Sequence, residues 1–168
     1  SNKPNIFVLS ISATPNAELA GMLYPECAHN KKTVILEPGP DYYGVCDMLR
    51  HDRVRPSWPL NTNDAHHKLI ELILENYLEH RKYFIVRMKS KKDCRKFGQL
   101  LKEKLDESDL PDRVKTVQYT SDTSLTDINR FIREEPKHLT VVTICNRLRA
   151  SKQLYTDHIC AVFETGTK

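Results

Sequence analysis

The sequence predicts an α/β fold, a mainly parallel sheet with helices on both faces. Two observations carry that expectation. From residue 63 onward, short apolar runs alternate with segments whose apolar residues recur at spacings of three and four, which is the rhythm of βαβ units. The 168 residues, 39% hydrophobic and 29% charged, also suit an ordinary core that needs no disulfide or metal staple.

Taken in order, residues 6–11 are a short apolar strand candidate running into Ser12-Ala13-Thr14-Pro15, where the proline interrupts regular structure. Residues 16–23 suit a helix of about two turns. Residues 33–36 suit a second strand, closed by Pro38-Gly39-Pro40. Residues 37–63 hold Pro38, Pro40, Pro56, Pro59 and the only tryptophan, Trp58, and are expected to be irregular. The chain thus reads as a segment 1–32, a Pro-rich connector 33–62 and a regular region 63–168, all compatible with one compact domain.

In the regular region, Asn63 is placed to cap a helix with Leu69, Ile70, Ile73, Tyr77 and Leu78 along one face. Residues 83–86 read as a buried strand. Ser90-Lys-Lys-Asp93 resembles a capping box and opens a helix with Cys94, Phe97, Leu101 and Leu105 inward. Residues 114–119 form the next strand. Ser124-Leu-Thr-Asp127 offers a cap to a helix burying Leu125, Ile128, Phe131 and Ile132, ended by Pro136. Val141, Val142 and Ile144 mark another strand, and residues 159–163 the last. Both are expected to be buried.

Between those last two strands lie Arg147, Arg149 and Lys152, with Asn146, Ser151 and Gln153. Open α/β sheets bind ligands beyond the carboxyl ends of their strands, and three cations there suit a phosphate or a nucleic-acid backbone. A solvated connector is the competing reading. The net charge of +4 and pI near 8.8 are compatible with a polyanionic partner without requiring one.

Five cysteines without CxxC spacing point to a reducing, intracellular setting. No apolar run reaches the ~20 residues of a membrane span, so no membrane partner is expected. His66-His67 point in different directions on a helix and read as two surface histidines, not a zinc site. A thiol–imidazole pair for a small Rossmann-like enzyme could be drawn from Cys145 or Cys160 with His158, and strand burial argues against it. Arg50-His-Asp-Arg-Val-Arg55 beside Trp58 offers either a basic patch with a stacking ring or a solvated loop.

Several of these segments together resemble a superfamily 2 helicase. Ser12-Ala13-Thr14 resembles motif III, which ends the first RecA-like domain of such motors. Tyr83-Phe-Ile-Val-Arg-Met88 with Lys89-Ser-Lys-Lys92 resembles motif IV. Gln118-Tyr-Thr-Ser-Asp122, followed by Arg130-Phe131, is similar to the motif between IV and V. Arg147-Leu-Arg-Ala-Ser-Lys-Gln-Leu154 resembles motif V, closest to the form in phage and large DNA-virus helicases, with Ser151 where that pattern has glycine. The resemblance implies a C-terminal RecA-like helicase domain. Its nucleic-acid path would run along Arg87, Ser90, Thr120, Ser121, Arg147 and Lys152, each of which also follows an expected strand. Ser12, Thr14, Arg149 and Gln153 would couple it to ATP.

The implied partners are single-stranded nucleic acid, DNA rather than RNA, and the first RecA-like lobe of a longer parent chain. ATP and Mg2+ would act in that parent and neither would bind this chain alone. Gly39-Pro-Asp-Tyr-Tyr-Gly44 has two-glycine spacing, but Val45-Cys46 follows in place of Lys-Ser/Thr, so it is no phosphate loop. No DEAD-like acidic box is present. The sequence ends at Gly166-Thr-Lys168, before the expected motif VI arginines that stabilise a transferred phosphoryl group. The alternative is a noncatalytic nucleic-acid-binding or scaffold module of the same fold. Purified alone, the chain is expected to release no phosphate from ATP in a steady-state assay. Turnover abolished by a point substitution within the chain would overturn that reading.

Overall fold

The computed structural model describes residues 44–147 and 154–165. The chain divides into two units, Ser1–Arg53 and Val54–Lys168. The expected strands at 6–11 and 33–36 and the helix at 16–23 lie outside the described residues. In the first unit, a short helix α1, Val45–Arg50, interrupts the stretch expected to be irregular. The Asp47 carboxylate accepts from the Gly44 backbone N–H at 3.0 Å and pairs with Arg50 at 2.6 Å.

The second unit is an α/β layer structure with the order α2 (Asn63–Tyr77), β1 (Tyr83–Arg87), α3 (Lys91–Glu107), β2 (Val114–Tyr119), α4 (Ile128–Ile132), β3 (Leu139–Ile144) and β4 (Ile159–Glu164). All four strands are parallel in the order β2-β3-β1-β4. Alternation along the two interior strands splits the core. Phe84, Val86, Leu139 and Val141 face one side with Leu69, Ile70 and Ile73 of α2 and Phe97, Leu101 and Leu105 of α3. Tyr83, Ile85, Val142 and Ile144 face the other with Ile128 and Ile132 of α4. Helices therefore cover both faces, as the sequence predicts.

Two helix starts differ from expectation. Thr62, not Asn63, caps α2, its hydroxyl accepting from Ala65 N–H at 3.2 Å. Asp127, not Ser124, caps α4 by accepting from Asn129 and Arg130 N–H at 2.9 and 3.4 Å. An ionised Asp is the stronger acceptor for orphan N–H groups, and α4 shrinks to five residues accordingly. Tyr83 ties this short helix down, its hydroxyl lying 3.1 and 3.0 Å from the Phe131 and Glu134 carbonyls.

The last strand also departs from expectation. β3 is buried at all six positions, but β4 is a half-buried edge with Val162 56% exposed. Its register shifts between Tyr83 and Phe84, leaving Cys160 as the extra residue, whose thiol donates to Tyr83 O at 3.3 Å. Beside β4, Trp58 packs edge-on against Phe163 at 5.0 Å and donates Nε1–H to Ala65 O at 3.2 Å. Lys68 lies 4.4 Å above its ring. The ring is thus occupied as packing and is not a free stacking platform.

His66 corrects the expectation of two surface histidines. His67 is exposed, but His66 is 2% exposed, edge-on to Phe97 at 5.8 Å, with neither ring nitrogen hydrogen-bonded. Burial holds its pKa below the usual 6.5; the Leu60 backbone and Asp93 oppose the shift, and Lys96 and His67 add to it. The unfolded chain therefore takes up a proton that the fold refuses, so stability is present above pH 6.5 and is lost as pH falls below it. Thermal melts of wild type and His66→Leu from about pH 7.5 to about pH 5.5 should show the difference moving in the variant's favour as pH drops. A pH-independent difference would exclude a buried neutral imidazole.

Candidate functional site

The loops after β1, β2 and β3 meet at the carboxyl edge of the sheet. Met88 N–H donates to Ile144 O at 2.8 Å and Cys145 N–H to Tyr119 O at 3.4 Å, carrying the parallel ladder past the strand ends. β3 ends at Ile144, and the chain turns at Asn146, φ 56°, a left-handed position that asparagine tolerates better than most residues. After β1 the chain passes to α3 on one face. After β3 it next packs through Leu154 on the other. Neighbouring strands whose connections leave on opposite faces create the crevice in which open α/β sheets bind ligands.

Arg147 borders this crevice. Its guanidinium stacks 5.5 Å from the ring centroid of Tyr119, which is 1% exposed and donates its hydroxyl to Thr126 O at 3.3 Å. The Arg147 Nε is buried without a partner. A stacked guanidinium keeps its charge and its planar donor edge while losing little entropy on contact, which suits it to an incoming anion.

The other expected strand-path residues are differently engaged. Arg87 ends β1 and pairs with Glu164 at 3.1 Å. Ser90 caps α3, accepting from Asp93 N–H at 3.1 Å and donating to the Asp93 carboxylate at 2.7 Å. Thr120 is 3% exposed and closes a turn, its N–H donating to Thr123 Oγ1 at 3.1 Å. Ser121 is exposed and donates to Asp122 at 3.1 Å. Ser12, Thr14, Arg149, Lys152 and Gln153 lie outside the described residues. The edge therefore gathers Arg87, Ser90, Thr120, Ser121 and Arg147, but Ser90 and Thr120 serve the fold there.

Two cations that sequence reasoning passed over belong to the same edge. Lys91 and Arg95 of α3 flank Asp122, at 2.6 Å and 3.7 Å. Their i, i+4 spacing places both on one helix face and was the available signal. The lysine hydrogen bond first, then that of Ser121, holds the exposed Asp122 carboxyl below its usual pKa.

Elsewhere the chemistry is sparse. Burial pushes the Cys94 thiol up to about 11 and raises that of Cys160, while Cys145 is 2% exposed with its thiol 3.7 Å from Lys89 O. Neither suits a Cys–His nucleophile. Among the described residues, no group of three or more potential ligands could hold a metal, and no helix is long and apolar enough to cross a membrane. An open cavity of about 730 Å³ lies over the second face, by Tyr83, Lys115 and Thr140, away from the carboxyl edge. Its rim mixes Lys115, Arg130 and Lys137 with Glu134 and Glu135, so it has no dominant charge. Comparisons with protein families, curated proteins and solved structures find no match to this chain.

Ser90→Ala should cost about 1 kcal/mol of unfolding free energy, as loss of an N-cap does, and Ser90→Thr, which keeps a hydroxyl to accept from Asp93 N–H and donate to its carboxylate, should restore most of it. Urea melts of the two variants decide this. An alanine variant as stable as wild type would mean that the serine is not a cap.

Proposed function

We propose that this chain is the C-terminal RecA-like lobe of an ATP-dependent nucleic-acid helicase or translocase. In this reading it grips the phosphate backbone at its carboxyl edge and closes on an ATP-bearing first lobe in a longer parent. The observation that carries the proposal is Arg147 beyond β3, braced over the Tyr119 ring at the crevice between β1 and β3. Fold alone would not support the reading, because open α/β sheets host many activities. A braced cation at the ligand-binding end, within the segment resembling motif V, does. ATP and Mg2+ would be held by the other lobe, since the sequence has no phosphate loop.

The same absence supports a second reading, a noncatalytic nucleic-acid-binding or scaffold module that uses the edge for attachment alone. The parent sequence separates the two: a Walker lysine upstream belongs to the motor and its absence to the module.

The motor, and the module in its nucleic-acid-binding form, require contact with nucleic acid. A labelled oligodeoxythymidylate titrated by fluorescence anisotropy should bind weakly, with log K falling against log salt by about 0.7 per phosphate neutralised. Arg147→Ala should weaken binding by about fivefold at about 0.1 M salt, one contact's share of ion release, with little change in melting temperature. No binding at low salt, or binding indifferent to Arg147, would remove the proposal.

A further inference from the structure

Lys91 and Arg95 at the carboxyl edge are not free. Lys91 Nζ sits 2.6 Å and Arg95 Nη2 3.7 Å from opposite oxygens of Asp122, and Ser121 donates to the first of these oxygens at 3.1 Å. One carboxylate thus collects two cations and a hydroxyl, the donor set that a backbone phosphate uses. The loop bearing Asp122 follows β2 directly, so this cluster lies at the carboxyl edge of the sheet.

The placement of the cations is itself informative. Lys91, Lys92 and Arg95 occupy the opening turns of α3. Positive charge there opposes the helix dipole, and Lys91 and Arg95 are like charges at i, i+4. Helix stability gives no reason for this arrangement, and local rules are broken most often at functional positions. The Asp122 contact is also easy to give up. Asp122 is 51% exposed, Lys91 38% and Arg95 68%, and exposed pairs contribute little to stability.

We propose that Asp122 is an internal competitor for nucleic-acid phosphate. It seats its carboxylate between Lys91 and Arg95 and masks that part of the edge until a backbone phosphate displaces it. This rests on the nucleic-acid reading above and adds its regulation. Affinity is held down by a residue inside the site, and the strand is released as the carboxylate returns. The exchange is a competition for donors: the N–H groups of Lys91 and Arg95 that hold the carboxylate are those a phosphate would use, so one anion displaces the other.

The test is Asp122→Asn in the anisotropy titration, with Asp106→Asn, an exposed position near the far end of α3, as a control of equal charge change. Asp122→Asn should bind oligodeoxythymidylate about fivefold more tightly than wild type at about 0.1 M salt, with a slope steeper by about 0.7. Asp106→Asn should do neither. The Lys91→Ala/Arg95→Ala pair should cost more affinity in the Asp122→Asn background than in wild type. Should Asp122→Asn fail to melt as a folded protein, Asp122→Ser takes its place. Wild type that binds while Asp122→Asn gains no more than Asp106→Asn overturns the masking and leaves the nucleic-acid reading standing. Absence of binding in both wild type and Asp122→Asn overturns the two together.

Discussion

Keeping both faces of β1 and β3 out of water is the constraint from which the rest of the unit follows. β3 is buried along its whole length and β1 at four of its five positions. Side chains alternate along a strand, so Phe84, Val86, Leu139 and Val141 need cover on one face while Tyr83, Ile85, Val142 and Ile144 need it on the other. Parallel strands also require long crossovers, and right-handed ones. The chain moves outward from β1 to β2 over one face and returns to β3 over the other. α3 leaves β1 over the first face while Leu154, beyond β3, packs on the second, and the crevice at the carboxyl ends of β1 and β3 is a consequence of burying their middles.

Where the hydrophobic effect makes the decision, the sequence is legible. The strands at 83–86, 114–119 and 140–144 and the inward faces of α2 and α3 follow from spacing, since an apolar stripe has one place to go. Boundaries follow from competition between polar groups, and there reading is harder. Thr62 and Asn63, or Ser124 and Asp127, are all competent caps, and tertiary packing selects between them. His66 shows the same difficulty in another form. An imidazole beside a second imidazole on a polar helix turn reads as surface, and only the arrival of Phe97 from α3 buries it. β4 reads as a buried strand because its run is apolar, but apolar character does not tell an interior strand from an edge.

The candidate site was legible in position more than in roles. Hydroxyls and cations after strands were read as phosphate contacts, but the turn from a strand into a helix asks for the same residues for its own sake. Ser90 and Thr120 answer that structural demand, the Ser90 hydroxyl spent on Asp93 and the Thr120 hydroxyl accepting from Asp122 N–H within its turn. Lys91 and Arg95 were overlooked for the converse reason. Lys91 stands in the basic run resembling motif IV without a site role and Arg95 falls outside every motif, and the Asp122 that organises them lies 31 residues further along for Lys91. Sequence spacing reports neighbours within one element and not partners supplied by the next loop.

The distribution of partners sorts this edge more sharply than its count of charges. Arg87 meets Glu164, and Lys91 and Arg95 meet Asp122, so much of the positive charge near the crevice is already answered. Arg147 instead rests on the face of an aromatic ring. A ring holds a guanidinium in place without neutralising it, whereas a carboxylate does both. On the proposed reading, a ligand phosphate would meet one cation held by a ring and others already held by a carboxylate. Such an edge would bind in two stages, an encounter at Arg147 and an exchange at Asp122. The second stage can reverse without any loss of fold, because exposed ion pairs hold little of the stability that the buried faces of β1 and β3 supply.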